Sequence, residues 1–192
     1  MGKVYAELDE RLSNFISRQP VFFVATAPCL TAGGDGGRVN VSPKGYRDTF
    51  AVLGPRKVAY VDLTGSGAET AAHLRQNGQI TIMFCSFGKQ AKILRLYGRG
   101  RVVLPSDTTW PELARSFPAD NGRGAQRTGR RAIIVVDVDH IADSCGYGVP
   151  VMELSAERDL LTEWADLKSA GELDAYRAEK NTLSIDGLPA LS

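Results

Sequence analysis

Between Val21 and Val138 short apolar runs alternate with Gly- and Pro-rich breaks, and this punctuation constrains the fold more than any single motif does. Val21–Thr26, Arg38–Ser42, Thr49–Leu53 and Lys57–Asp62 each read as a short strand. Pro20, the stretch Thr31–Gly37, Pro43–Gly45 and Gly54–Arg56 separate them. Gln79–Phe84, Gln90–Leu104 and Arg131–Val138 add three more, the last apolar enough to be buried on both faces. Gly98 and Gly100 permit a bend or bulge in the long 90–104 segment. Strands that follow one another through short Gly/Pro turns pair antiparallel. Six to seven of them in so short a span suit a small barrel rather than a wide open sheet.

Helical periods flank and interrupt the strands. Val4, Leu8, Leu12, Phe15 and Ile16 predict an amphipathic helix over 4–18, Ala68–Asn77 a short second one and Asp107–Phe117 a third. Beyond Ser155 the chain turns helical again, with Leu160, Leu161, Trp164 and Leu167 along one face. At 192 residues there is room for one ordinary core with appended helices. The expected division is a barrel domain over 1–150, including the N-terminal helix, and a helical extension over 151–192.

Composition removes several function classes. A net charge of +1, from 23 basic and 22 acidic residues, gives no overall attraction to nucleic acid or a membrane surface. No segment approaches the roughly 20 apolar residues that cross a bilayer, and the charged N-terminus lacks a secretory signal, so a cytoplasmic protein is expected. Cys29, Cys85 and Cys145 are widely spaced and only His73 and His140 could join them, so no metal site is expected and the thiols read as reduced.

The segment Lys57–Phe84 is the most suggestive of function. A strand feeds Leu63-Thr-Gly-Ser-Gly67, which opens the helix that Gly78 ends. The first N–H groups of a helix lack intrahelical partners, and the dipole favours negative charge there. Thr64, Gly65, Ser66 and Gly67 therefore form a candidate phosphate cradle. A Walker A loop would need a Lys that is missing. A Rossmann loop would need a third glycine where Thr70 stands, and an acid about twenty residues further on.

Three other stretches carry polar chemistry. Pro43 is predicted to stop the Arg38–Ser42 strand and, lacking an N–H, to leave backbone groups of Val41 and Ser42 facing a ligand. Phe84–Arg101 holds five cations, Lys89, Lys92, Arg95, Arg99 and Arg101, and no acid. If the strand is unbulged, Arg95, Tyr97, Arg99 and Arg101 share one face with Ile93, while Lys92, Leu94, Leu96, Val102 and Leu104 share the core side. Such a face could hold phosphate, pair with a second subunit or lie in solvent; sparse aromatics argue against nucleic acid. Asp143–Pro150 reads as a kinked loop presenting Tyr147, and Cys145 within it lacks an orienting triad, so a cysteine hydrolase is not expected.

Together these segments resemble the pyridoxamine 5′-phosphate oxidase-like family of FMN-binding split β-barrels. The resemblance covers about residues 14–142 and rests on Pro20–Thr26, Val39-Asn-Val-Ser-Pro-Lys-Gly45, Leu63–Gly67 with its helix to Asn77-Gly78, and Leu94-Arg-Leu-Tyr-Gly-Arg-Gly100. The stretch Ser144–Pro150 is similar to that of a bacterial branch of the family. The resemblance implies a mainly β, antiparallel split barrel with a helical C-terminal extension, and a homodimer with the flavin at its interface. It further implies that Val41, Ser42, Pro43 and Lys44 meet the isoalloxazine edge and that Thr64 through Thr70 lie near the ribityl phosphate. The strand around Lys92 and Arg95 would be the one to reach the site, from the same or the neighbouring subunit.

Two departures qualify that expectation. Ala68-Glu69-Thr70 stands where the vitamin B6 oxidases place a Ser-Arg-Lys run, so an anion there would depend on N–H groups, hydroxyls and more distant arginines such as Arg38. No His follows His140, so oxidation of pyridoxamine phosphate itself is not expected. The expected function is FMN-dependent electron transfer with an unidentified small molecule, with no catalytic residue assigned. The alternatives are a flavin- or deazaflavin-binding carrier or sensor, and a cofactor-free dimerisation module.

Overall fold

Eight strands join one antiparallel sheet in the computed structural model, which describes residues 2–29, 37–117 and 127–191. They are β1 (Val4–Tyr5), β2 (Phe22–Thr26), β3 (Asn40–Lys44), β4 (Phe50–Gly54), β5 (Lys57–Leu63), β6 (Gln79–Cys85), β7 (Lys92–Val103) and β8 (Arg130–Cys145). The hydrogen-bonded order is β3-β2-β6-β7-β8-β5-β4, with β1 added to β8. The two ends of this path, β3 and β4, share no ladder. The sheet rolls until side chains meet instead: the Phe22 and Phe50 rings lie 5.0 Å apart, and Phe50 and Phe84 5.1 Å. This is a split barrel, open along one seam.

The interior is apolar, with Leu12, Val24, Val58, Tyr60, Ile82, Phe84, Leu94, Leu96, Ile134 and Ile141 fully buried. β5 and β8 are covered on their outer face too, where Ala59, Val61, Ile133 and Val135 pack under Trp110 and Phe117. That double burial explains their unbroken apolar character. At the middle of β7 the register with β8 shifts, because Tyr97 pairs with His140 but Gly98 with Val138. A Cβ at Gly98 would strike the Asp137 carbonyl, so the bulge requires glycine there.

Four expectations need correction. Residues 4–18 are not one helix: β1 comes first, and α1 (Glu10–Ser17) starts only where Asp9 caps it, accepting from the Leu12 N–H at 2.7 Å. Such a cap is worth about 1 kcal/mol. Pro43 does not end its strand but pairs with Phe23 inside β3. β3 is an edge strand, and an edge tolerates a residue that cannot donate. Asp143, Ser144 and Cys145 belong to β8, pairing with Leu94, Ile93 and Lys92, rather than to a loop. The helix expected over Asp107–Phe117 is one turn, α3 (Trp110–Ala114).

α2 (Glu69–Asn77) follows β5 and ends at Gly78, whose φ of 72° suits glycine. The C-terminal segment forms α4 (Leu160–Asp166), α5 (Ala170–Lys180) and a short bridge between Leu183 and Pro189. Its expected apolar face is not buried in the single chain. Leu160, Leu161 and Leu167 are 70%, 37% and 86% exposed, whereas Thr162 and Ala165 face inward. The Gly-rich residues 31–36 and the loop residues 118–126 lie outside the described residues. Among the described residues no helix is long and apolar enough to cross a membrane.

Candidate functional site

Asp62 is the one acid in an otherwise apolar stretch of β5, and Arg131 opens the apolar run of β8. Charged groups in buried strands require partners. Here they find each other: Arg131 Nε donates to Asp62 Oδ2 at 2.8 Å, and Lys44 Nζ from β3 reaches Asp62 Oδ1 at 2.9 Å across the open seam. Burial pushes the Asp62 carboxyl up, but the charges and hydrogen bonds of Lys44 and Arg131 outweigh it and hold the group at about 2. The same burial, with the nearby Asp62 charge, raises the neighbouring Tyr60 hydroxyl well above its ordinary value.

The Arg131 guanidinium also shapes the Gly-Ser-Gly loop. Its Nη1 donates to the Gly65 carbonyl at 3.2 Å and its Nη2 to that of Gly67 at 2.7 Å. The C-terminal segment grips the loop from the other side. Asn181 Nδ2 donates to the Gly65 carbonyl at 2.8 Å, and Arg177 Nε to Thr64 Oγ1 at 3.0 Å. Thr64 is buried, and its hydroxyl donates to the Gly129 carbonyl at 2.6 Å. The loop is thus held through its carbonyls and the Thr64 hydroxyl.

Between this loop and β3 runs a cleft of about 270 Å³ along the seam. Six expected site residues line it: Ser42, Pro43, Lys44, Gly65, Gly67 and Thr70. Asn40 joins them, its amide Nδ2 donating to Thr70 Oγ1 at 3.1 Å and Thr26 Oγ1 at 3.2 Å. Thr26 in turn meets the buried His73 ring at Nδ1, 3.0 Å away. The Ser42 hydroxyl is buried in this wall and has no hydrogen-bond partner among the described residues.

The other expected residues lie elsewhere. Val41 points away from the cleft and is 63% exposed, and Ser66, within the loop, is exposed outside the cleft lining. Thr64 lies beneath the loop, engaged as above. Arg38 pairs with Asp186 of the C-terminal segment. Lys92 and Arg95 sit at the start of β7, where Lys92 Nζ pairs with Asp143 Oδ2 at 3.0 Å and Arg95 Nη1 donates to Ser144 Oγ at 2.9 Å. Neither lines the cleft of its own chain. Glu69 does: a Cβ placed on Gly67 would lie 2.5 Å from Glu69 Oε2, so the carboxylate covers the glycine. Among the described residues no three His, Cys, Asp or Glu side chains converge as metal ligands.

Sequence reasoning missed Asp62, Arg131, Asn40, Arg177 and Asn181. Lone charges in apolar strands were the available signal for Asp62 and Arg131. No local pattern marks the C-terminal pair, which reach the loop from more than a hundred residues away.

A split barrel with a polar cleft at its seam defines a class. The family model described as pyridoxamine 5′-phosphate oxidase matches residues 8–145. The pyridoxamine 5′-phosphate oxidase family protein ustO of Aspergillus flavus is 40% identical over 201 residues, covering 97% of this chain and 77% of that protein. The chain belongs to the pyridoxamine 5′-phosphate oxidase family. Two crystal structures of HupZ from Group A Streptococcus share the fold, at TM-scores of 0.53 and 0.51. They are 18% and 19% identical, covering 71% and 69% of this chain and 99% and 90% of theirs.

Proposed function

We propose that this protein is a flavin-binding oxidoreductase of the FMN type, acting as a homodimer on a small molecule. The observation that carries the reading is the unpartnered Ser42 hydroxyl, buried in the cleft wall that Lys44 also lines. A buried polar group without a partner costs about 1–3 kcal/mol, and a ligand with a complementary polar edge removes that cost. Asn40, Thr70 and the Lys44 ammonium add further polar groups to the same wall.

A bound flavin would supply the two-electron chemistry. The chain's part is electrostatic and positional. Asp62 holds Lys44 in the wall as a fixed positive charge, Ser42 offers a neutral hydrogen bond, and Arg131 stiffens the loop opposite. No protein nucleophile is needed for such a reaction.

Size and surface support the dimer. A cleft of about 270 Å³ falls below the roughly 300–1,000 Å³ of sites that enclose drug-sized ligands. One protomer therefore encloses part of a flavin, and a second copy would complete the groove. Val39 and Val41, at 69% and 63% exposure, offer an apolar edge beside it, and the exposed Leu160 and Leu167 offer a second apolar surface. Glu69 favours one other reading, a dimerisation module that has lost its cofactor.

A visible spectrum of the purified protein, followed by FMN titration, tests the proposal. Bound flavin with quenched fluorescence is expected; a colourless protein that binds no added flavin would overturn it. Anaerobic reduction with NADH or NADPH, then oxygen, distinguishes an enzyme, which turns over, from a carrier.

A further inference from the structure

The charges lining the cleft cancel. Among the described residues its ionised wall groups are Lys44, Arg131 and Glu69, with Asp62 paired to both cations. Each Arg131 nitrogen already donates once, to Asp62, Gly65 and Gly67, which fixes the guanidinium against the sheet and the loop. Two further arginines are engaged as well, Arg38 on Asp186 and Arg177 on Thr64, Asp174 and the Arg130 carbonyl. The first turn of α2 meanwhile carries an anion of its own. Glu69 Oε2 lies over Gly67, and Glu69 Oε1 accepts from the Ile185 N–H at 3.3 Å. That C-terminal segment is held in place because Leu188, Ala190 and Leu191 pack on Ala68, Ala71 and Ala72 of the α2 start.

A dianionic phosphate at this spot would meet a carboxylate in the position where the helix dipole favours negative charge. What the rest of the wall offers is neutral: the Ser42 hydroxyl, the Asn40 amide and the Thr70 hydroxyl. We propose that Glu69 is a specificity-determining residue that fills the anion position at the start of α2, so that the cleft selects a flavin ending in an uncharged polyol. Riboflavin is then bound at least as well as FMN. This inference rests on the flavin reading above.

The test compares riboflavin and FMN affinities, by quenching of flavin fluorescence, for the full chain and for Glu69→Gln. Gln keeps an oxygen for the Ile185 N–H and removes only the charge. In the native chain riboflavin is expected to bind as tightly as FMN or more tightly. In Glu69→Gln the FMN affinity rises about tenfold while riboflavin is unchanged, and the gain shrinks as salt is added. A native chain that prefers FMN tenfold, or a variant that shifts both ligands equally, overturns the assignment of Glu69 but leaves the flavin site standing. Failure of both flavins to bind either protein overturns the flavin reading, and the Glu69 assignment with it.

Discussion

Arg131 and Asp62 meet across β5 and β8 with 2.8 Å between Nε and Oδ2, and the rest of the same guanidinium closes on the Gly65 and Gly67 carbonyls. One side chain thus ties the sheet to the loop that walls the cleft. Asp62→Asn would leave Lys44 and Arg131 facing each other without a counter-charge. Removing one partner of a buried ion pair costs about 3–5 kcal/mol, and denaturant unfolding should show a loss of that size.

The same pair sets an acid limit. Asp62 and Asp143 both titrate at about 2 in the folded protein: burial opposes this, but Lys44 and Arg131 hold down the first, and Tyr5, Lys3 and Lys92 the second. Both values lie below the ordinary 3.8, so the stabilisation is complete above that pH and is lost as pH falls toward 2. Melting temperature should drop steeply between about pH 4 and pH 2. An Asp143→Asn variant should start lower and lose less over that interval.

His73 adds a milder slope at higher pH. The ring is fully buried, Nε2 has no partner among the described residues, and burial lowers its value below the ordinary 6.5 despite Thr26 and the carboxylates of Asp186 and Glu69. The unfolded chain therefore takes up a proton before the folded one does, and stability declines as pH falls below about 6.5. His73→Phe, which removes the titrating ring, should flatten the melting curve's pH dependence in that range.

Lys44 offers a redox measurement. Reduction adds negative charge to a flavin, so a fixed ammonium in the wall favours the reduced state. Lys44→Met should lower both affinity and midpoint potential, the latter by about 30 mV if about 1.4 kcal/mol of stabilisation is lost. A spectroelectrochemical titration reads this directly, and an unchanged potential would remove Lys44 from the ligand's surroundings.

Much of the fold is legible where local punctuation is strong. Lys57–Leu63, Glu69–Asn77 and Gln79–Cys85 lie within a residue of the boundaries expected, because a Gly-rich loop and a left-handed glycine fix them. β1 was hidden because two residues carry no period, and Val4 and Leu8 fit the helical spacing that follows. β8 reads as finished at Val138 because Asp139, His140 and Asp143 interrupt its apolar run, yet the backbone goes on pairing with β7. At the cleft, local motifs identify Ser42, Lys44 and Gly65. Asp62 and Arg131 escape because they are 69 residues apart and meet only through strand pairing.

The seam of the barrel is closed by rings and the Lys44–Asp62 ion pair rather than by a ladder. A cylinder closed by backbone hydrogen bonds can change its girth only by whole strands or register steps. This one can change it by a rotamer at Phe22 or Phe50, or by a longer or shorter pair at Lys44 and Asp62. The width of the seam is therefore open to resizing by single substitutions that leave every backbone pairing intact.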